Sequence, residues 1–469
     1  MGVVLVLRGA APLRTHLRPL YLSSRLRCSL ASFPSPTSTQ SKEVCNFKEN
    51  DDFLQWLQQK SGTEISSVLS VGSSVFGRSL FALKPIEAGD CILKIPFSAH
   101  ISVDNLPLEM MPLIPNEIDS QSLVAVALLA EQNLGQKSDW APYVNCLPGL
   151  GEMHSSIFWS KEELEMIRPS FVYRETIEWR KQFEKDFLAL KTAMENFPDL
   201  FGNVQLENFL HARALVSSRA WEIIKGVAMI PFADFLNHDG SSNSVLAINV
   251  KEQRDEVVAD RSYAVGDEVF IRYGKFSNAT LLLDFGFTLP VNCYDQVRIL
   301  MDVTSDDPLY TQKCQLLHEH SLPTKLNSNT LKKKERSYLI KQVRTSKGKV
   351  KGIPLALRAF ARVLSATSVI ELEEMTKEAA QSDGRLARSP LKNRQREMQA
   401  HLILFQHLDR KIQGHLAALK GLQNMNIPDS SEAFSTRRKM AKDLLSGELR
   451  VLHSAHSWLA AYCKDISST

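Results

Sequence analysis

The apolar residues of this 469-residue chain follow two different rhythms. Up to about residue 300, short runs of alternating apolar and polar residues sit between turns rich in Gly and Asp. From about Asp306 onward, apolar residues recur every three or four positions. A period of two suits a strand with one buried face and a period near 3.6 suits a helix, and neither pattern buries its apolar side in the other conformation. The chain is therefore expected to be α+β: a leader over 1–44, a β-rich unit over 45–300 with a helical insertion at about 105–210, and an all-α unit over 301–469.

Within the first unit, Phe53, Trp56 and Leu57 follow Glu49-Asn50-Asp51-Asp52, which predicts a helix behind a polar N-cap. Residues 80–84 and 91–95 flank Glu87-Ala88-Gly89-Asp90, and 256–259 and 268–273 flank Val265-Gly266-Asp267; each set reads as a hairpin. Residues 121–132 and 161–197 read as helices, the second broken at Pro169. A loop containing Trp140-Ala141-Pro142-Tyr143 and Leu147-Pro148-Gly149 separates them.

The clearest later helix spans 389–422, with Ser389 as N-cap, Pro390 in the first turn, and Leu402, Phe405, Leu408, Ile412, Leu416 and Leu419 on one face. A final helix over 437–462 carries a potential break at Gly447. The stretch 332–351 holds nine Lys/Arg against Glu335 alone and reads as a solvated basic loop, with a docking site for an acidic partner as the alternative. No fixed-period repeat points to a solenoid.

The leader contains Arg8, Arg14, Arg18, Arg25 and Arg27, a Ser/Pro/Thr-rich tract at 32–41, and no acid before Glu43. This is the composition of an organelle transit peptide, or more plainly of a basic tail. Arginine favours the mitochondrion and the Ser/Pro/Thr tract the plastid. Its removal takes the formal charge from +4 to about −1, so bulk charge gives no reason to expect nucleic-acid binding. No stretch reaches the roughly 18 apolar residues of a membrane span. The seven cysteines include no CxxC pair, so neither a disulfide framework nor a structural zinc site is indicated. His318-Glu319-His320 reads as part of a surface helix, because alternating positions do not share a helical face and no third ligand is near.

Several motifs, taken in order, carry a family resemblance. Phe76-Gly77-Arg78-Ser79-Leu80-Phe81-Ala82, Gly89-Asp90 and Ile95-Pro96 come first. Ser218-Arg219-Ala220-Trp221, Asp234-Phe235-Leu236-Asn237-His238, Ile271-Arg272-Tyr273-Gly274 and Leu283-Asp284-Phe285-Gly286-Phe287 follow. The set resembles the SET methyltransferase domain, and Trp140, Pro142, Tyr143 and Leu147-Pro148 resemble the insertion of the Rubisco large-subunit methyltransferase-like branch. The resemblance covers about residues 50–460 and implies a knotted β SET domain followed by a helical substrate-binding domain. It further implies S-adenosylmethionine (AdoMet) as cofactor and a folded plastid protein, such as the Rubisco large subunit or fructose-bisphosphate aldolase, as substrate. Alternatives are a histidine acceptor and a non-catalytic module of the same fold. No nucleic acid, membrane or metal is expected, and the protein is expected to be monomeric.

Methyl transfer to lysine needs a neutral amine held in line with the sulfonium methyl at about 3 Å. Deprotonating a lysine of pKa near 10.4 costs roughly 4 kcal/mol at pH 7.5, which a desolvating aromatic channel can help to offset. By resemblance, Tyr273 is the catalytic channel residue. Phe76, Gly77, Arg78, Asn237, His238 and Tyr273 contact the cofactor, and Ser218, Arg219, Asp234 and Phe285 face the substrate. Phe285 stands where the family has a second channel tyrosine, which implies more room and more than one added methyl. Ile223 stands where the Rubisco enzymes have another arginine, which leaves the substrate open.

Overall fold

The computed structural model describes residues 4–6, 48–320, 336–346, 349–381, 386–387, 389–425 and 432–468. The leader other than Val4–Val6, with its 32–41 tract, lies outside the described residues. The first helix, Lys48–Ser61, buries Phe53 and Leu57 as their spacing predicts. Glu49, Asp51 and Asp52 lie inside its first turns instead of capping it from outside.

Neither expected hairpin forms. Gly77–Ala82 pairs with the preceding Leu69–Ser74, and Cys91–Pro96 pairs antiparallel with Arg254–Val258, which also pairs with Leu246–Asn249. Val4–Val6 extends the outer edge of that sheet along Leu246–Asn249. Phe270–Ile271 runs parallel to Asn237–His238. The two turns that were to close the hairpins lie against each other: Ile86 and Tyr263 exchange backbone hydrogen bonds at 3.0 and 2.9 Å, and Ala82 donates to Asp267 and accepts from Gly266. Alternation makes a strand and chooses its buried face, but its unpaired N–H and C=O groups take whichever edge the rest of the chain presents.

The helical insertion is Ser120–Leu134, Phe171–Glu195 and Leu206–Arg219, with shorter pieces between. The break at Pro169 is real: Lys161–Glu165 stops before it, and Phe171–Glu195 starts behind Ser170, whose hydroxyl accepts from the Val172 N–H at 3.2 Å. The segment around Trp140 holds a short helix, Ala141–Val144, with Trp140 and Tyr143 buried.

The C-terminal unit is helical as expected, yet not wholly. Gln296–Met301 pairs antiparallel with Arg336–Lys341, and Arg344–Ser346 with Lys349–Lys351. The described part of the basic stretch is thus strand rather than loop: Tyr338 and Ile340 point into the core while Leu339 and Lys341 point away, so a two-residue period hides inside the charge run. The long helix begins at Arg394, later than predicted, and runs to Asn424; its cap is Asn393, which accepts from the Arg396 N–H at 3.2 Å.

The last helix, Glu432–Ser468, passes Gly447 without a break. A Cβ at Gly447 would lie 2.0 Å from Asp295 Oδ2, so this glycine serves close packing of the helix on the 295 loop. Met440, Ala441, Leu444 and Leu445 of that helix join Leu282, Leu283, Trp159 and Ile167 in a cluster between the two units, and Val451, Leu452, Ala455 and Leu459 continue into the C-terminal core. No described helix is long and apolar enough to cross a membrane.

Candidate active site: an aromatic recess beside the Asn237-His238 strand

Tyr273 follows the strand Phe270–Ile271, which lies beside Asn237–His238. Its backbone N–H donates to His238 Nδ1 at 3.1 Å and its hydroxyl donates to the Leu236 carbonyl at 2.7 Å, so ring and hydroxyl are both fixed by the 236–238 segment. Burial pushes the His238 imidazole down to about 4, so at neutral pH the ring is uncharged and carries its proton on Nε2. Burial likewise pushes the Tyr273 phenol above its ordinary value, so it remains protonated and is no base.

Around Tyr273 the walls are aromatic. Phe285 stacks on it at 5.3 Å between centroids, Trp221 meets it at a right angle at 5.9 Å, and Phe287 lies edge-on at 6.5 Å. Phe285 ends a short π-helical turn, Leu281–Phe285, closed by Gly286 at φ 75°. A Cβ on Gly286 would come within 2.8 Å of the Ser155 backbone nitrogen, so only glycine lets this turn press against the insertion. Asn278, Leu281 and Leu282 are buried behind it.

Asp234 sits on a short turn, Ala233–Phe235, entered through Phe232 at φ 74°. Its buried Oδ2 accepts from the Tyr143 hydroxyl at 2.8 Å and from Arg219 Nη1 at 3.3 Å. Burial raises its carboxyl pKa, while Arg219 and Tyr143 oppose that shift. Ser218, Arg219, Ala220, Trp221, Asp234, Tyr273 and Phe285 line one narrow recess. All four residues expected to face substrate, and Tyr273, thus meet in one place. Ser218 itself turns back to the Leu215 carbonyl at 3.2 Å.

The residues expected to contact the cofactor lie on the neighbouring segments. Asn237 Nδ2 donates to Glu268 Oε1 at 2.9 Å; a carboxylate only accepts, so this bond fixes the amide orientation and leaves the Asn237 oxygen and one amide hydrogen for a ligand. Phe76 stands in the turn between Leu69–Ser74 and Gly77–Ala82, and its side chain is exposed. Gly77 has φ 96° and open space where a Cβ would be. Arg78 bonds the Cys146 carbonyl and lies 5.4 Å over the Phe235 ring, which ties the turn to the 234–238 segment.

Three residues were given no role in the site from sequence. Trp221 stood in the quoted Ser218-Arg219-Ala220-Trp221 motif and Glu268 beside the Gly266-Asp267 turn; Tyr143 was quoted only for the insertion, and the fold brings it to Asp234. His318 and His320 lie at the end of the helix Tyr310–Glu319, away from this site, and no metal-binding cluster occurs among the described residues.

Comparison with known proteins agrees with this architecture. The SET domain family matches residues 77–274 and the Rubisco LSMT substrate-binding family matches residues 304–452. The Rubisco large subunit N-methyltransferase of Pisum sativum is 26% identical over 278 residues, covering 56% of this chain and 56% of that protein. The fructose-bisphosphate aldolase-lysine N-methyltransferase of Arabidopsis thaliana is 26% identical over 318 residues, covering 65% of this chain and 64% of that protein. An actin-histidine N-methyltransferase of Rattus norvegicus is 24% identical over 290 residues, 58% of this chain and 48% of its own. The chain thus spans about half to two thirds of the length of the curated relatives it matches. Rubisco LSMT bound to AdoMet superimposes with a TM-score of 0.69 at 21% identity, over 89% of this chain and 93% of the other, a likeness of fold. The chain carries a SET domain, matched over residues 77–274, followed by a Rubisco LSMT substrate-binding domain, matched over residues 304–452.

Proposed function

We propose that this chain is an AdoMet-dependent protein-lysine N-methyltransferase acting on a folded plastid protein. The observation that carries the reading is the state of Tyr273. Its hydroxyl hydrogen is committed to the Leu236 carbonyl, so its lone pairs are left to accept from an amine N–H, inside walls of Phe285 and Trp221 that favour an uncharged amine. The residues fit the cofactor: the Asn237 oxygen and the Glu268 carboxylate suit the methionyl ammonium, and the open side of Gly77 leaves its backbone approachable. When bound, AdoMet supplies the electrophilic methyl group. Tyr273 orients the nucleophile, His238 holds Tyr273, and the Arg219–Asp234 pair forms the polar side of the recess.

A histidine acceptor is the second reading, favoured by the similar match to actin-histidine methyltransferases. Incubation with labelled AdoMet and a plastid stromal extract, followed by hydrolysis and identification of the methylated amino acid, decides between them; methylhistidine as sole product would remove the lysine reading.

Three outcomes are expected. Asn237→Ala should weaken AdoMet binding by ~10-fold or more, about 1.4 kcal/mol for a charge-assisted hydrogen bond, as read by calorimetry on folded protein. Phe285→Tyr adds a hydroxyl beside Tyr273, so the product should shift toward fewer methyl groups; an identical distribution by mass spectrometry would show that the ring only packs. Residues 1–44 fused to a reporter should direct it to plastids, with mitochondria as the alternative, and a diffuse cytosolic reporter would sink that address. The plant relatives carry "chloroplastic" in their names, which supports the plastid.

A further inference from the structure

The recess holds an unusual set of unsatisfied polar atoms. Trp221 Nε1, Asp234 Oδ1 and Arg219 Nε are all buried and lack a hydrogen-bond partner among the described residues, and all three side chains line it. Trp159 in the same domain shows the usual behaviour, its indole N–H donating to the His154 carbonyl at 2.9 Å. Leaving a buried N–H unpaired forfeits its hydration with nothing in return. Packing does not require it: a phenylalanine at 221 could keep an edge-on contact with Tyr273 without burying a donor.

The chemistry narrows what the Trp221 N–H can serve. An indole N–H only donates. A lysine amine about to be methylated has one lone pair, and it must face the methyl. A neutral imidazole attacking through one nitrogen carries hydrogen on the other, which is again a donor. Neither reacting side chain offers Trp221 an acceptor, whereas a peptide carbonyl does. Beside it, Asp234 Oδ1 only accepts when ionised, so the wall presents a donor and an acceptor together, the complement of a peptide unit's C=O and N–H.

We propose that Trp221 is a positioning residue that takes a main-chain carbonyl of the substrate at the modified residue, with Asp234 Oδ1 facing the adjacent N–H. The inference deepens the methyltransferase reading and rests on it. Trp221 then recognises that the target residue is part of a chain, and sets how far its side chain enters toward Tyr273. A side-chain fragment with no carbonyl gains nothing from it.

The experiment uses the full chain saturated with S-adenosylhomocysteine and labelled with 15N. The sequence has six tryptophans, and the Trp221→Phe spectrum identifies the indole N–H resonance of Trp221. The probes are Nα-acetyl-lysine N-methylamide, n-butylamine as the bare side-chain mimic, and Nα-acetyl-histidine N-methylamide. The blocked lysine should move the Trp221 indole proton downfield, and Trp221→Phe should weaken its binding ~10-fold while leaving n-butylamine and S-adenosylhomocysteine affinity unchanged. An equal indole shift with n-butylamine, an unchanged affinity in Trp221→Phe, or no indole shift with either blocked residue at millimolar concentration overturns the proposal. A shift with the blocked histidine but not the blocked lysine keeps the carbonyl contact and overturns the lysine reading instead.

Discussion

Tyr273→Phe is expected to lower turnover by ~10²-fold or more while leaving AdoMet affinity nearly unchanged and the protein folded. The ring stays, and with it the contacts to Phe285, Trp221 and His238. The backbone N–H still reaches His238 Nδ1, so the strand position is kept. What disappears is the oxygen whose hydrogen is tied to Leu236 and whose lone pairs would orient the amine. The Leu236 carbonyl also loses its partner, so a modest stability cost is expected. Single-turnover rates with calorimetry on the same preparation separate the effects: a loss of activity that merely follows a loss of folded protein would show that Tyr273 is structural.

A second large effect is expected far from the recess. Arg362 and Glu397 are buried in the C-terminal core and form a two-pronged pair at 2.8 and 2.6 Å. The Glu397 carboxylate also accepts from the Leu391 N–H and the Tyr462 hydroxyl. Burial works to raise the Glu397 pKa, but Arg362 and the Leu391 N–H outweigh it and hold the group at about 2. Arg362→Met should therefore destabilise the protein by roughly 3–5 kcal/mol, because it strands a buried carboxylate. Arg362→Met with Glu397→Leu should recover much of that loss, measured by denaturant midpoints. The sign with pH follows from the depressed value: the Glu397 contribution is complete above an ordinary glutamate pKa and is lost as pH falls from about 4.5 toward 2. In Arg362→Met that acid dependence should shrink or reverse.

Much of the recess was legible because its residues stand in short motifs whose order does not depend on knowing the fold. Ser218-Arg219, Asp234, Tyr273 and Phe285 come from four separate segments and line one pocket. Strand partners were not legible. The pattern at 91–95 is the same whether its neighbour is 80–84 or Arg254–Val258, since pairing is decided by backbone groups that every residue carries. The same holds for Tyr143 and Asp234, joined by a single hydrogen bond across the insertion. At Gly447 the helix propensity argued for a break, and packing against Asp295 overrode it. The basic stretch misled because charge hid alternation: Tyr338 and Ile340 are too few to stand out among nine basic residues.

The 37-residue helix Glu432–Ser468 is about 55 Å long if straight, and it belongs to both clusters that flank the junction. Its first half is wedged against Leu282 and Leu283, within the turn that ends in Phe285, and its second half is built into the core of the domain behind. If the proposed function holds, such a strut would convert distance into selectivity. Under the proposed function, a client gripped by the rear domain can offer the recess only a residue lying at one fixed span from the grip. The choice of target would then be a matter of surveying, made on the client's folded surface, and a client unfolded by denaturant would lose its mark even though its local sequence is intact.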